Sequence, residues 1–217
     1  MKQLLAFSFL GLAIASTHLQ ADDSYFEASY IKPLAGSSYK RAGATTGSIG
    51  SIDTNGGTGF QILYGRNIDD TPYSFEIDFT SVTENGSQLT TVGSATTHAL
   101  TGTVNNKMLF FTGKRTFNKS SSVNPYAGLG LGFSNTNYNL ATNDNGITIN
   151  SSNNVFAYGY TLGTIISLGD ALTANIGYTQ RQIKGGDFTS IQSGTSTPGT
   201  TTTTSIDWFS IGIHKKY

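Results

Sequence analysis

The sequence predicts an all-β protein: an eight-stranded antiparallel up-and-down transmembrane β-barrel with four long external loops and three short turns at the other rim. Three observations predict it. Side chains alternate with period 2 in eight stretches of about ten residues or more, long enough to cross a bilayer at a tilt. The connections between those stretches alternate strictly between long and short, which puts all the long ones at one rim of an antiparallel barrel. Charged residues make up only 12% of the 217, about half the share usual in a soluble domain. Beyond the N-terminus no apolar run approaches the roughly 20 residues of a membrane helix, and the only other structure that satisfies its backbone in hydrocarbon is a closed barrel.

The chain opens with Lys2 and an apolar run from Leu4 to Ala15, followed by polar residues and by Ala21 before Asp22 and Asp23. A basic start, a run too short to span a bilayer and a small residue at the cut describe a secretory signal peptide over residues 1–21, leaving residues 22–217 as the barrel. An uncleaved anchor is the alternative. After cleavage 196 residues remain, with 12 basic and 13 acidic side chains, a balance that gives no footprint for nucleic acid. The absence of cysteine excludes a disulfide framework and a thiolate metal site.

The eight expected strands are Ser24 to Lys32, Gly57 to Asn67, Pro72 to Thr83, Asn105 to Phe117, Val123 to Tyr138, Asn154 to Leu168, Ala171 to Lys184 and Ser205 to Tyr217. The short connections are Ile68 to Thr71, Asn118 to Ser122 and Gly169 with Asp170; the long ones run from Pro33 to Gly56, Glu84 to Val104, Asn139 to Asn153 and Gly185 to Thr204. In "YSFEIDFT", Tyr73, Phe75, Ile77 and Phe79 share one face, while Ser74, Glu76, Asp78 and Thr80 share the other. The face with two carboxylates cannot meet lipid. "NPYAGLGLGF" sets Leu129, Leu131 and Phe133 against Gly128, Gly130 and Gly132. Glycine weakens an ordinary strand, so a bare inner face indicates a lumen with room only for neighbouring side chains.

The segment "PYAGLGLGF" is similar to a glycine-alternating strand common in the small eight-stranded outer-membrane β-barrel superfamily of Gram-negative bacteria, and the whole mature chain resembles that superfamily. Its known members include the OmpA transmembrane domain, OmpX-type proteins and opacity-type surface proteins. The terminal strand "DWFSIGIHKKY", with Phe209, Ile211, Ile213 and Tyr217 in alternation, resembles the signal read by the outer-membrane assembly machinery. The resemblance implies the cell outer membrane as the location, both termini in the periplasm, and outer-membrane lipids including lipopolysaccharide as neighbours. A peptidoglycan-binding domain is not expected, and cell-wall anchoring is not implied.

Inward alternation collects Glu27, Glu76, Asp78, Arg181, His214 and Lys216. Charges in a narrow barrel are expected to pair and fill the lumen. In the fourth strand the two faces are hard to tell apart; placing Lys107, Leu109, Phe111, Gly113 and Arg115 inward lets Arg115 meet Glu76 or Asp78, and Glu27 is expected to meet His214 or Lys216. An enzyme of this size would need a base, and His98 in the second long loop, near Ser94 and Glu84, is the one external histidine. Ser, His and Glu together in a Ser/Thr-rich loop are better explained by composition, and no catalytic, cofactor or metal site is expected. The long loops, low in charge and rich in Thr, Ser and Gly, are expected to be flexible and to carry recognition of an external ligand or host surface. The expected role is a non-enzymatic structural or surface-recognition protein, with a small pore as the alternative and a lipid-modifying enzyme behind both.

Overall fold

The computed structural model describes residues 24–43, 48–93, 97–117, 121–144, 146–169 and 171–216. The expected signal segment and Tyr217 lie outside the described residues, as does the side chain of Lys216. The chain forms β1 (Ser24–Pro33), β2 (Ser38–Lys40), β3 (Ile49–Asn67), β4 (Tyr73–Thr91), β5 (Thr97–Thr116), β6 (Val123–Thr142), β7 (Thr148–Ser167), β8 (Leu172–Ile183), β9 (Asp187–Gln192), β10 (Thr195–Thr200) and β11 (Thr204–Lys216). Every pairing is antiparallel: β1 with β3, then in succession through β4, β5, β6 and β7 to β8 and β11. β11 returns to β1, with Glu27 opposite His214 and Tyr30 opposite Ile211, so the eight long strands close into a ring.

The outer wall keeps its hydrocarbon in the open. Leu129 is 75% exposed, Phe75 66%, Ile211 63% and Phe133 61%, a continuous apolar surface that fits lipid and not water. The lumen is narrow because eight strands leave only side-chain room. A Cβ added at Gly132 would overlap the Leu109 carbonyl oxygen, and one at Gly130 would lie 2.8 Å from Arg181 Nη1. Other inward glycines act as sockets: Tyr25 fills the space beside Gly65, and Tyr126 that beside Gly163 and Gly177.

The long connections differ from expectation. β4, β5, β6 and β7 each run for 19 or 20 residues, about 65 Å at 3.3 Å per residue, far beyond an apolar band roughly 25 Å tall. The segments expected to be flexible are therefore mostly strand: "SQLTT" ends β4, and "SGTSTPGT" belongs to the β9–β10 hairpin. Ser94 and residues 44–47 lie outside the described residues. The reason is a second apolar core in this extension, where Tyr39, Ile52, Leu89, Tyr138, Ile149 and Phe188 point inward at alternate positions. Thr- and Ser-rich sequence pairs well as strand when such residues anchor one face.

Replacing Gly132 by Val should lower the temperature at which heating converts the compact electrophoretic form to the unfolded one, by the equivalent of ~1–3 kcal/mol or more of overpacking. Gly113, which faces outward with open space at its Cβ position, should accept Ala with a change of about 0.5 kcal/mol at most. Equal shifts for the two variants would contradict the packed lumen.

Candidate functional site: the lumen and its external extension

β4 alone sets the order of layers inside the barrel. Its inward side chains are Ser74, Glu76, Asp78, Thr80, Val82 and Glu84, running from the short-turn rim outward, all of them buried. The first layer is charged. Glu76 forms an ion pair with Lys114 and accepts a hydrogen bond from the Tyr25 hydroxyl. Lys114 also sits 4.7 Å from the Tyr126 ring centroid. Glu27 lies 3.7 Å from His214 Nδ1 and accepts hydrogen bonds from Ser29 Oγ at 2.6 Å and from Asn175 Nδ2 at 2.9 and 2.8 Å. Tyr25 stacks on His214 at 4.1 Å. Arg181 Nη2 donates to Asp78 at 3.2 Å, and its guanidinium lies 3.6 Å from the Phe110 ring centroid.

Of the lumen residues named from sequence, the structure brings Glu27, Glu76, Asp78, Arg181 and His214 together. Arg115 is a correction: it faces outward, with its guanidinium 5.8 Å from the Tyr73 ring and 5.1 Å from the Phe117 ring. The inward set of β5 is Met108, Phe110, Thr112 and Lys114. Each face of β5 carries basic residues, so counting charges could not decide. Position decides: Arg115 and Lys107 stand at the two ends of the outward row, where long cationic side chains reach out of the apolar band at little cost, while Lys114 reaches a buried carboxylate. Lys114 is a lumen residue that the sequence reading placed on the outward face with Met108, Phe110 and Thr112, while Tyr25 and Trp208 are ones it passed over; strict alternation from the outward Phe209 and Ile211 would have found Trp208.

Above the charged layer lies an apolar one, in which Ile31, Val82, Met108, Phe110, Ile206 and Trp208 pack together across the barrel. Among the described residues, the cavity between the charged side chains measures about 20 Å³, room for about one water molecule. A second, at the outer side, measures about 10 Å³ and is lined by Tyr39, Tyr138 and Thr204 among others. The two share no lining residue.

Above that layer, beyond the lipid band, a chain of hydrogen bonds crosses the barrel from β6 to β4. Thr136 donates to Asn106 at 2.8 Å, Asn106 to the Tyr39 hydroxyl at 2.9 Å, and Tyr39 to Glu84 Oε2 at 3.0 Å. Glu84 Oε1 accepts from Ser37 N at 3.1 Å, Ser37 Oγ at 2.8 Å and Thr54 Oγ1 at 3.0 Å. Burial pushes the Glu84 carboxyl above its ordinary value of 4.5, with the Ser37, Thr54 and Tyr39 hydrogen bonds pulling the other way. The Ser, His and Glu considered as a catalytic set are not assembled: Glu84 is enclosed by these donors, His98 Nδ1 lies 2.8 Å from Asp144 at the outer tips, and Ser94 is outside the described residues. Among the described residues no group of three His, Cys, Asp or Glu side chains is placed to hold a metal ion.

Two expectations follow. Glu76→Met should leave Lys114 buried and unpaired at a cost of about 3–5 kcal/mol, lowering the heat-conversion temperature; adding Lys114→Met should recover most of it, and Arg115→Met should leave it almost unchanged. Because the folded Glu84 pKa is raised, its contribution favours the folded extension below about pH 4.5 and is lost as pH rises through the folded value. Amide protection factors of Ser37–Lys40 should therefore fall from pH 4.5 toward neutrality, and Glu84→Gln should flatten that slope.

The comparisons with known proteins agree with this geometry. The family described as outer membrane protein beta-barrel domain matches residues 7–202. OprG from Pseudomonas aeruginosa superposes with a TM-score of 0.68 at 12% identity, over 91% of this chain and 96% of that one. Neisserial surface protein A gives 0.56 at 15%, over 89% and 97%. The outer membrane protease OmpT from Escherichia coli gives 0.56 at 10%, over 93% and 100%. At these identities the likeness is one of fold. No curated protein matches the chain by sequence. With a ring of eight strands, an apolar outer wall and a family match over most of its length, the chain belongs to the outer membrane protein beta-barrel domain family and is an outer-membrane protein.

Proposed function

We propose that the protein is a non-enzymatic surface protein: a plugged barrel that holds a folded extension outside the cell and presents its strand tips for recognition or for a structural role. The single observation that carries this is the stacking of a paired charged layer, an apolar layer around Trp208 and Phe110, and an external core around Leu89 and Phe188 within one lumen. A pore needs a continuous polar path, and eight strands usually fill their interior with side chains. The fold itself also carries a protease among its solved neighbours; what supports the non-enzymatic reading is that His98, Glu84 and their surroundings form no joint site. The outward row Phe209, Ile211 and Ile213 is the surface we assign to the assembly machinery during insertion.

In planar bilayers the refolded protein should give no steady unitary conductance. On intact cells, an epitope inserted in the turn between β9 and β10 should bind antibody without permeabilisation. Steady conductance would replace this reading with a pore; an epitope reachable only after permeabilisation would remove surface display.

A further inference from the structure

The outer wall of β4 to β7 changes character along one line. Phe79, Leu109, Phe133 and Phe156 stand side by side in register on the outward face, the last apolar row of this flank. Two residues further out on each strand, the next row is Ser81, Lys107, Asn135 and Asn154. The row after that is Thr83, Asn105, Asn137 and Ser152, and beyond it Asn139 lies opposite Asn150. These rows form a lattice of amides and hydroxyls on neighbouring strands about 4.8 Å apart. Lys107 is their only charge. Around the rest of the ring the outward face differs: Lys184, just past the end of β8, donates its backbone N–H to Phe156 at the edge of the lattice, Gln180 and Gln182 precede it on β8, and β1 and β11 present Lys32 and Asp207.

Part of the lattice is already set in place by its own contacts. Thr83 Oγ1 donates to Asn105 Oδ1 at 2.8 Å, and Asn135 Nδ2 donates to Asn154 Oδ1 at 2.8 Å and to Ser152 Oγ at 3.2 Å. Amides held on a rigid sheet lose little side-chain freedom on binding. Each amide offers both donors and acceptors, which suits hydroxyl groups that do the same. A protein partner would call for aromatic or arginine anchors, and these rows contain none.

We propose that this lattice is a docking surface for the phosphorylated sugar headgroup of the outer-leaflet glycolipid. Continuity with the lipid-facing row places it at headgroup height, since the acyl chains that cover Phe79, Leu109, Phe133 and Phe156 belong to molecules whose sugars meet the rows above. Lys107 stands in the lowest polar row, next to the hydrocarbon, where it meets the phosphates; the uncharged amides above it meet sugar hydroxyls. The inference rests on outer-membrane placement and is independent of the closed lumen.

The test is native mass spectrometry of the full refolded barrel in detergent, titrated separately with rough lipopolysaccharide carrying inner-core sugars, with lipid A alone, and with delipidated core oligosaccharide. Wild type should retain the sugar-bearing glycolipid best. Asn105→Ala with Asn137→Ala and Asn150→Ala should weaken that retention by about tenfold through several lost hydrogen bonds while leaving lipid A retention unchanged; Lys107→Ala should weaken both lipids. Gln180→Ala with Gln182→Ala on β8, opposite Tyr160 and Tyr158 of the apolar wall, should change neither. If the triple variant loses the heat-dependent mobility shift, the isosteric and exposed Asn137→Asp serves instead, and its carboxylate should lower retention of the phosphorylated lipids. Equal retention of rough lipopolysaccharide by wild type and the lattice variants, or no preference of wild type for it over lipid A, would overturn the proposal. Binding of free oligosaccharide as tight as that of the glycolipid would overturn the lipid source. Conductance measurements bear on the lumen alone, so either reading can fail without the other.

Discussion

The pairing of β1 with β11 is the contact on which the rest of the structure depends. In hydrocarbon an unpaired sheet edge leaves a row of unsatisfied amides and carbonyls, each costing several kcal/mol. The nine residue pairs from Tyr25–Lys216 to Pro33–Trp208 remove both edges at once. Closure at eight strands then fixes the lumen width, and the width fixes what can occupy it. Large inward side chains such as Phe110, Tyr25 and Tyr126 are accommodated because glycines stand beside them. The strand that looks weakest in isolation, with glycine at 128, 130 and 132, is the one on which a narrow ring most depends for clearance.

The same width explains why the charged layer is paired so closely. Three buried carboxylates, Glu27, Glu76 and Asp78, share a small volume with Lys114, Arg181 and His214. A buried ion pair is weak evidence for net stabilisation, because desolvation offsets most of the attraction. Its effect here is on register: a slip of one residue in β4 or β5 would turn Glu76, Asp78 and Lys114 toward lipid. The charges penalise every misaligned barrel more than they favour the aligned one.

Much of this was legible in the sequence. Strand number, the alternation of long and short connections, the faces of β4 and the glycine-lined face of β6 all follow from period-2 patterning, which the bilayer enforces strictly. Two parts were not legible. The inner face of β5 carries Lys114 and its outer face carries Lys107 and Arg115, so the rule that charge points inward had no purchase; the height of each charge relative to the lipid band decided it. The external extension was hidden because its core residues, among them Ile52, Leu89, Leu100 and Ile149, are single apolar positions scattered through Thr-, Ser- and Asn-rich sequence. Outside the membrane no solvent change marks where a strand stops, and such sequence resembles loop until its pairing partner is known.

The two apolar clusters lie in series on the same strands, separated by the polar layer of Glu84, Asn106 and Thr136. This arrangement uncouples loss of packing at the tips from loss of packing inside the lipid band. Local opening follows the least stable cooperative unit first, so the outer storey can fray or be clipped by a protease while the inner storey keeps its packing. Change at the strand tips can therefore accumulate without disturbing the packing inside the lipid band.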